Sequence, residues 1–234
     1  MWSGPRNLST AMMYAFAARG DCAASDEPFY AAYLALTGLD HPMRDQVLAS
    51  QPNDPARVDL TGPAPGGAAI WYQKHMVHHM LPQMPRDWFK ACRHAFLIRH
   101  PARVIASYAR KRESPTLDDL GFVQQAELFD AIAQATGKAP PVADSAAIRA
   151  APGPMLQALC AALDLPWTER MLHWPAGPKP FDGAWAPHWY HAVHASTGFD
   201  AAEGPLPDLP ADYARLAEAA MPHYRRLARH ALSP

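Results

Sequence analysis

Met1-Trp-Ser-Gly-Pro-Arg-Asn-Leu-Ser-Thr10 opens the chain and runs straight into Ala11-Met-Met-Tyr-Ala-Phe-Ala-Ala18. This order reads as the end of a strand, a tight polar loop and a helix of mostly good helix formers. Gly4 admits a tight turn, and Pro5 fixes one φ angle while offering no N–H. The start of a helix leaves backbone N–H groups unpaired under partial positive charge, which suits a phosphate or sulfate. Arg6 adds a fixed cation, and Ser9 and Thr10 add hydroxyl donors. The loop therefore reads either as an anion binder or as a plain helix cap. It is not the strict nucleotide loop G-x-x-x-x-G-K-[ST], because it holds neither a Lys nor a second Gly. Only Met1 to Ser3 precede it. The first strand is thus expected to be very short, or else to begin upstream of this sequence.

Strand-like and helix-like runs alternate beyond the loop. Asp21-Cys-Ala-Ala-Ser25 suits a second strand ending in the acidic pair Asp26-Glu27, with a helix over Phe29 to Leu36 that stops near Gly38. Residues 39–68 are rich in Pro, Gly, Asp and Asn around a short helix near Met43 to Ala49, and read as a variable excursion suited to an acceptor pocket. Ala68 to Lys74 suits a third strand running into His75, and Phe96-Leu-Ile98 a buried fourth. Arg99-His-Pro101 follows, with Pro101 well placed to open a helix reaching about Arg112. Leu117 to Gly137 suits one long amphipathic helix, Pro141 to Ser145 a last strand, Met155 to Leu165 another helix, and Ala211 to Leu232 a closing one. Residues 173–199 form a loop rich in Pro, Trp and His. The alternation predicts a single α/β domain over residues 1–234, with a central parallel sheet flanked by helices and 39–68 and 173–199 as variable loops.

Composition narrows the function classes. A chain of 234 residues buries roughly 70% of its unfolded surface and needs no staples. A formal net charge of -1 gives no global field for nucleic acid. The three cysteines, Cys22, Cys92 and Cys160, are isolated, which fits a reducing, cytoplasmic setting without a disulfide framework. No apolar run approaches a membrane span. Ala11 to Ala18 has the length of a secretory core, but Arg19 closes it without a cleavage pattern, so no leader is expected. His75 and His79 are four apart, and His188, His191 and His194 three apart, yet no carboxylate completes a compact ligand set, so no metal is expected.

A second anion site is written around Arg99, at the end of a buried strand, where open parallel sheets bind ligands. On the following helix Arg103, Ser107 and Arg110 share one face, while Val104, Ile105 and Tyr108 face the other way. A solvated basic helix is the plainer alternative.

Taken together, these segments resemble the PAPS-dependent sulfotransferases. That family has a P-loop-like fold, and its first loop, P-[KR]-S-G-T-T, is matched here by Pro5-Arg6-Asn7-Leu8-Ser9-Thr10, with Asn7-Leu8 in place of Ser-Gly. Its second motif is an Arg at a strand end and a Ser eight residues later, matched by Arg99 and Ser107. A later pattern ending in L..LC..LGLP is similar to Leu156 to Pro166, LQALCAALDLP. The resemblance touches residues 1 to about 180, in order. It implies that Arg6, Asn7, Ser9 and Thr10 hold the 5′-phosphosulfate of PAPS and that Arg99 and Ser107 hold its 3′-phosphate. The family's basic, Gly-rich nucleotide loop has an echo around Lys179.

Two residues are candidates for the base that takes the acceptor's proton. Glu27 stands at a strand end beside Pro28 and Phe29, where apolar neighbours would raise its pKa, and it matches the position of a Glu in carboxylate-using sulfotransferases. The alternative is that Asp26 or Glu27 merely caps the next helix. His75 resembles the His of the K-T-H motif of the cytosolic enzymes, with Lys74 as the contact to phosphosulfate. Here the two are adjacent, and side chains of adjacent residues leave a straight strand on opposite faces. The function this implies is sulfuryl transfer from PAPS to a hydroxyl or amine of a small-molecule acceptor, without metal. The competing readings are a P-loop kinase or NTPase using ATP, and a non-catalytic nucleotide-binding or regulatory module.

Overall fold

Short segments form the strands, and turns or helices separate them. The computed structural model describes residues 1–110 and 115–233. In chain order the elements are β1 (Trp2–Ser3), α1 (Ser9–Ala17), β2 (Cys22–Asp26), α2 (Tyr30–Thr37), α3 (Arg44–Ser50), β3 (Ile70–Met76) and β4 (Phe96–Ile98). There follow α4 (Pro101–Ala109), α5 (Leu117–Leu120), α6 (Phe122–Thr136), β5 (Val142–Asp144), α7 (Ser145–Ala150), α8 (Pro152–Ala162), α9 (Ala186–Trp189), α10 (His191–His194) and α11 (Ala211–Ala228). The strand pairings are parallel: β2 with β3, β1 with β4, and β4 with β5. This is the expected α/β architecture, a parallel sheet flanked by helices.

The chain divides into two compact units. The first comprises Met1–Ser9, Arg93–Trp167 and Asp200–Pro234; the second comprises Thr10–Cys92 and Thr168–Phe199. In the first unit β1 pairs with β4 and β4 with β5, Phe96 lying opposite both Trp2 and Val142. All three residues of β4 are buried, as its unbroken apolar run requires. Val104 and Ile105 of α4 pack with Leu120, Phe122, Ala217 and Ala220, so the apolar face of α4 is covered by α5, α6 and α11. Gly4 has a specific reason to lack a side chain: a Cβ there would lie 2.7 Å from the carbonyl oxygen of Leu120.

The second unit is built on the β2–β3 pair, with Asp26 opposite Lys74. Phe16 stacks on Tyr72, their ring centroids 4.5 Å apart. α2 ends at Gly38 in the left-handed conformation, as its sequence position requires.

Some boundaries differ from the sequence reading. The helix expected over Leu117 to Gly137 is broken by Gly121, whose φ of 72° closes α5 before α6 begins. α7 takes up Ser145, the last residue of the expected strand, and Asp144, which ends β5, caps it by accepting from the Ala146 N–H. The loop at 173–199 contains the two single-turn helices α9 and α10. Of the basic run after Arg110, Lys111 and Arg112 lie outside the described residues. Among the described residues no helix is long and apolar enough to cross a membrane.

Candidate functional site

The opening loop lies in the first unit and is pinned to the end of β4. Asn7 is buried and its side-chain amide donates to the Leu97 carbonyl at 3.2 Å. Ser145 Oγ sits 2.9 Å from the Asn7 carbonyl and 2.7 Å from that of Ile98. Held this way, the loop adopts left-handed backbone at two non-glycine residues, Arg6 (φ 62°) and Leu8 (φ 72°). Such conformations are costly for L-residues and gather at ligand sites, and left-handed residues help form the backbone N–H concavities that bind anions. Ser9 and Thr10 then begin α1, Ser9 buried and Thr10 half-buried.

Arg6, Arg99 and Ser107 are joined within this unit. Arg6 Nε donates to Ser107 Oγ at 2.9 Å, and an Arg99 terminal nitrogen donates to the Arg6 carbonyl at 2.8 Å. The Arg6 guanidinium is held below its ordinary pKa by burial and by the charges of Arg99 and Arg110. A guanidinium whose charge is opposed by neighbouring cations marks a place where an anion is favoured.

Arg99 also pairs with Glu203, from the segment before α11. Arg103 Nε lies 3.0 Å from the other oxygen of the same carboxylate, and Arg149 of α7 lies 3.1 Å from the oxygen that meets Arg99. The Glu203 side chain is 3% exposed. The sequence carried no local signal for Glu203 or Arg149: one is a lone acid in Ala-Ala-Glu-Gly-Pro, the other a lone base on a short helix.

The second unit holds a different cluster, around Lys74. Its side chain, 2% exposed, bridges both members of the acidic pair. Lys74 Nζ donates to Asp26 Oδ1 at 2.8 Å, to Tyr190 Oη at 2.9 Å and to Glu27 Oε1. Asp26 also accepts from Tyr190 Oη at 2.7 Å and from the Gly183 N–H at 3.0 Å. Asp26 is thus held by three donors, whereas Glu27 meets Lys74 through one oxygen and places the other 3.9 Å from His79 Nδ1. Glu27 has a left-handed backbone (φ 42°), fixed by its N–H on the Lys74 carbonyl and by Gln51 on its own carbonyl. Neither carboxylate caps α2, whose N-cap is Phe29 without a side-chain hydrogen bond.

Burial raises the Glu27 carboxyl to about pKa 7, with Asp26 pushing it further up and the Lys74 ammonium pulling it down. Burial opposes the charge on Lys74, but Asp26 and Glu27 outweigh it and hold the ammonium well above its ordinary range. His79 is pushed well below its ordinary pKa, by burial first and by His78 and Lys74 after it.

β3 stays extended through Met76, so Lys74 and His75 leave it on opposite faces. His75 sits with Gln73 Oε1 at 3.2 Å and stacks on Trp88. Lys179 turns back on its own loop, donating to the carbonyls of Pro175 and Gly177, both at 2.7 Å, with its ammonium over the Tyr14 ring. Tyr190 lies in the loop read only as rich in Pro, Trp and His, and nothing local in the sequence marks it as a partner of Lys74.

Residues 1–231 match the family model described as a sulfotransferase domain. The chain belongs to the sulfotransferase family. This sulfotransferase domain is also 36% identical over 231 residues to branched-chain-amino-acid aminotransferase-like protein 1 of Arabidopsis thaliana, and 35% identical to its protein 2. Each alignment covers 98% of this chain but 41% of the relative, so the chain spans about two fifths of the length of these curated relatives.

Proposed function

We propose that this sulfotransferase domain moves a sulfuryl group from PAPS to a hydroxyl or amine of a small-molecule acceptor, in a reducing, cytoplasmic compartment and without a metal. The observation that carries the reading is the Arg6–Ser107–Arg99 connection. Two motifs about a hundred residues apart in sequence supply it, and both belong to the same family pattern. The Glu203 carboxylate, held among three guanidiniums, supports the fit of a phosphate there, since the donor set already holds an anion's oxygens.

In this reading Arg6, Ser9, Thr10 and the N–H groups of the loop hold the 5′-phosphosulfate, and Arg99 and Ser107 hold the 3′-phosphate. Asn7 acts through its grip on β4 by shaping the loop. Glu27 takes the acceptor's proton as the acceptor heteroatom bonds to sulfur and the bond from sulfur to the phosphate oxygen breaks. A carboxyl titrating near 7 is matched to that task at neutral pH. Lys74 keeps Glu27 partly ionised and steadies negative charge in the cluster. Glu27 is preferred to His75 because it shares the cluster with Lys74, while His75 leaves β3 on the other face.

The test is transfer from radiolabelled PAPS to a panel of hydroxy and amino acceptors. Label should move with the unaltered chain and slow by about 10²–10⁴-fold in Glu27→Gln. Transfer of the γ-phosphoryl of ATP with Mg²⁺ instead would favour the kinase reading. PAP binding without transfer across the panel would favour a non-catalytic module.

A further inference from the structure

The proposed function accounts for Arg99 but leaves Arg103, Arg149 and Glu203 without a role. All four lie in the first unit, and the three arginines converge on the Glu203 carboxylate. Glu203 Oε1 meets Arg99 and, at 3.1 Å, Arg149; Arg103 Nε lies 3.0 Å from Oε2. The same arginines hold the backbone on both sides of Glu203. Arg149 Nε donates to the Ala201 carbonyl at 2.9 Å, and Arg103 donates to the Gly204 carbonyl. Segment 200–205, which has no regular secondary structure, is therefore strapped down by arginine contacts at and beside its one buried carboxylate.

Charge counting shows what the cage suits. Three guanidiniums bring three positive charges; buried Glu203 returns one, and exposed Asp200, 3.6 Å from Arg149, returns a solvent-screened second. A phosphate monoester, carrying close to two negative charges and three acceptor oxygens, matches the set better than a carboxylate does. An Arg99 that pairs with Glu203 cannot offer the same N–H groups to a 3′-phosphate.

We propose that Arg103 and Arg149 complete, with Arg99 and Ser107, the cage for the 3′-phosphate, and that Glu203 is an internal anion which occupies the cage until the donor nucleotide displaces it. This inference rests on the PAPS reading and deepens it. The chain then exists in a strapped state and an open state, and only the open one takes the 3′-phosphate. Apparent affinity is reduced by the fraction of molecules that are open.

The experiment titrates PAP and adenosine 5′-phosphate, which lacks the 3′-phosphate, into the unaltered chain and into Glu203→Gln. Glutamine keeps the shape and removes the competing charge. PAP should bind about ten-fold or more tightly to the variant, while adenosine 5′-phosphate should change little. A second readout uses the unaltered chain and does not depend on the variant folding. Cleavage after Glu203 by a glutamyl endopeptidase, followed by mass spectrometry, should be slow in the free protein and about ten-fold faster at saturating PAP. If PAP binds both proteins equally and cleavage is unchanged, Glu203 is a structural ion pair and the displacement fails while the PAPS reading stands. If PAP binds neither protein, the PAPS reading fails and the displacement fails with it.

Discussion

Replacing Lys74 by Met should destabilise the protein strongly, and more so at high pH than at low. The side chain is 2% exposed and its ammonium is the cation placed between Asp26 and Glu27. Met retains most of the apolar stem, so the loss is chiefly electrostatic. At an effective dielectric constant of about 20, one ion pair near 4 Å is worth roughly 4 kcal/mol, and removing one partner of a buried pair typically costs about 3–5 kcal/mol. Two carboxylates are stranded here, so the upper part of that range is expected near pH 8. At about pH 5 the cost should shrink to about 1–2 kcal/mol, because a stranded carboxyl can take up a proton. The sign follows from linkage. The Glu27 carboxyl already titrates near 7 in the native chain, above its unfolded value, and losing the ammonium that lowers it raises it further. The native state then holds a proton that the unfolded chain releases, so stability is fully present below the unfolded pKa and is lost as pH rises through the folded one. Urea unfolding at the two pH values measures both costs. A loss below about 1 kcal/mol near pH 8, or the same loss at both pH values, would refute the reasoning.

Other substitutions test separate parts of the account. Glu27→Gln should remove a fall in stability of about 3 kcal/mol that the unaltered chain shows between pH ~4.5 and somewhat above 7; urea titrations across that range compare the two. Gly4→Ala should cost about 1–3 kcal/mol, since its Cβ would meet the Leu120 carbonyl oxygen, and calorimetric melting reads the loss. Tyr190→Phe should cost about 1–3 kcal/mol in urea unfolding, because the hydroxyl joins Lys74, Asp26 and the Trp185 indole.

Much of the scaffold was legible because it is local. Phe96-Leu-Ile98 is an unbroken apolar run, and it is β4 to the residue. Gly38 stops α2 where a left-handed residue is required. Gly121 was harder to read, because a lone Gly within an amphipathic pattern is usually carried by the helix, and here it ends one. The places of Arg6 and Arg99 were legible for the same reason: Arg6 precedes a helix start and Arg99 follows a strand end. What the sequence could not show is pairing across distance. The acidic pair at the end of β2 was visible, but only the parallel register places Asp26 against Lys74. That register, and the extended backbone of β3, divide Lys74 from the adjacent His75. Glu203 has no periodic context at all, and its meaning comes from three arginines at least fifty residues away in the chain.

The central claim is that the first unit binds the nucleotide of PAPS through Arg6, Arg99 and Ser107. Calorimetric titration with PAP, beside ATP with Mg²⁺ and beside Arg99→Ala, tests it most directly. Micromolar PAP binding, unmatched by ATP and weakened by about 30- to 1000-fold in the variant (roughly 2–4 kcal/mol), is the result the account predicts. No PAP binding, or PAP binding that ignores the loss of Arg99, would contradict it.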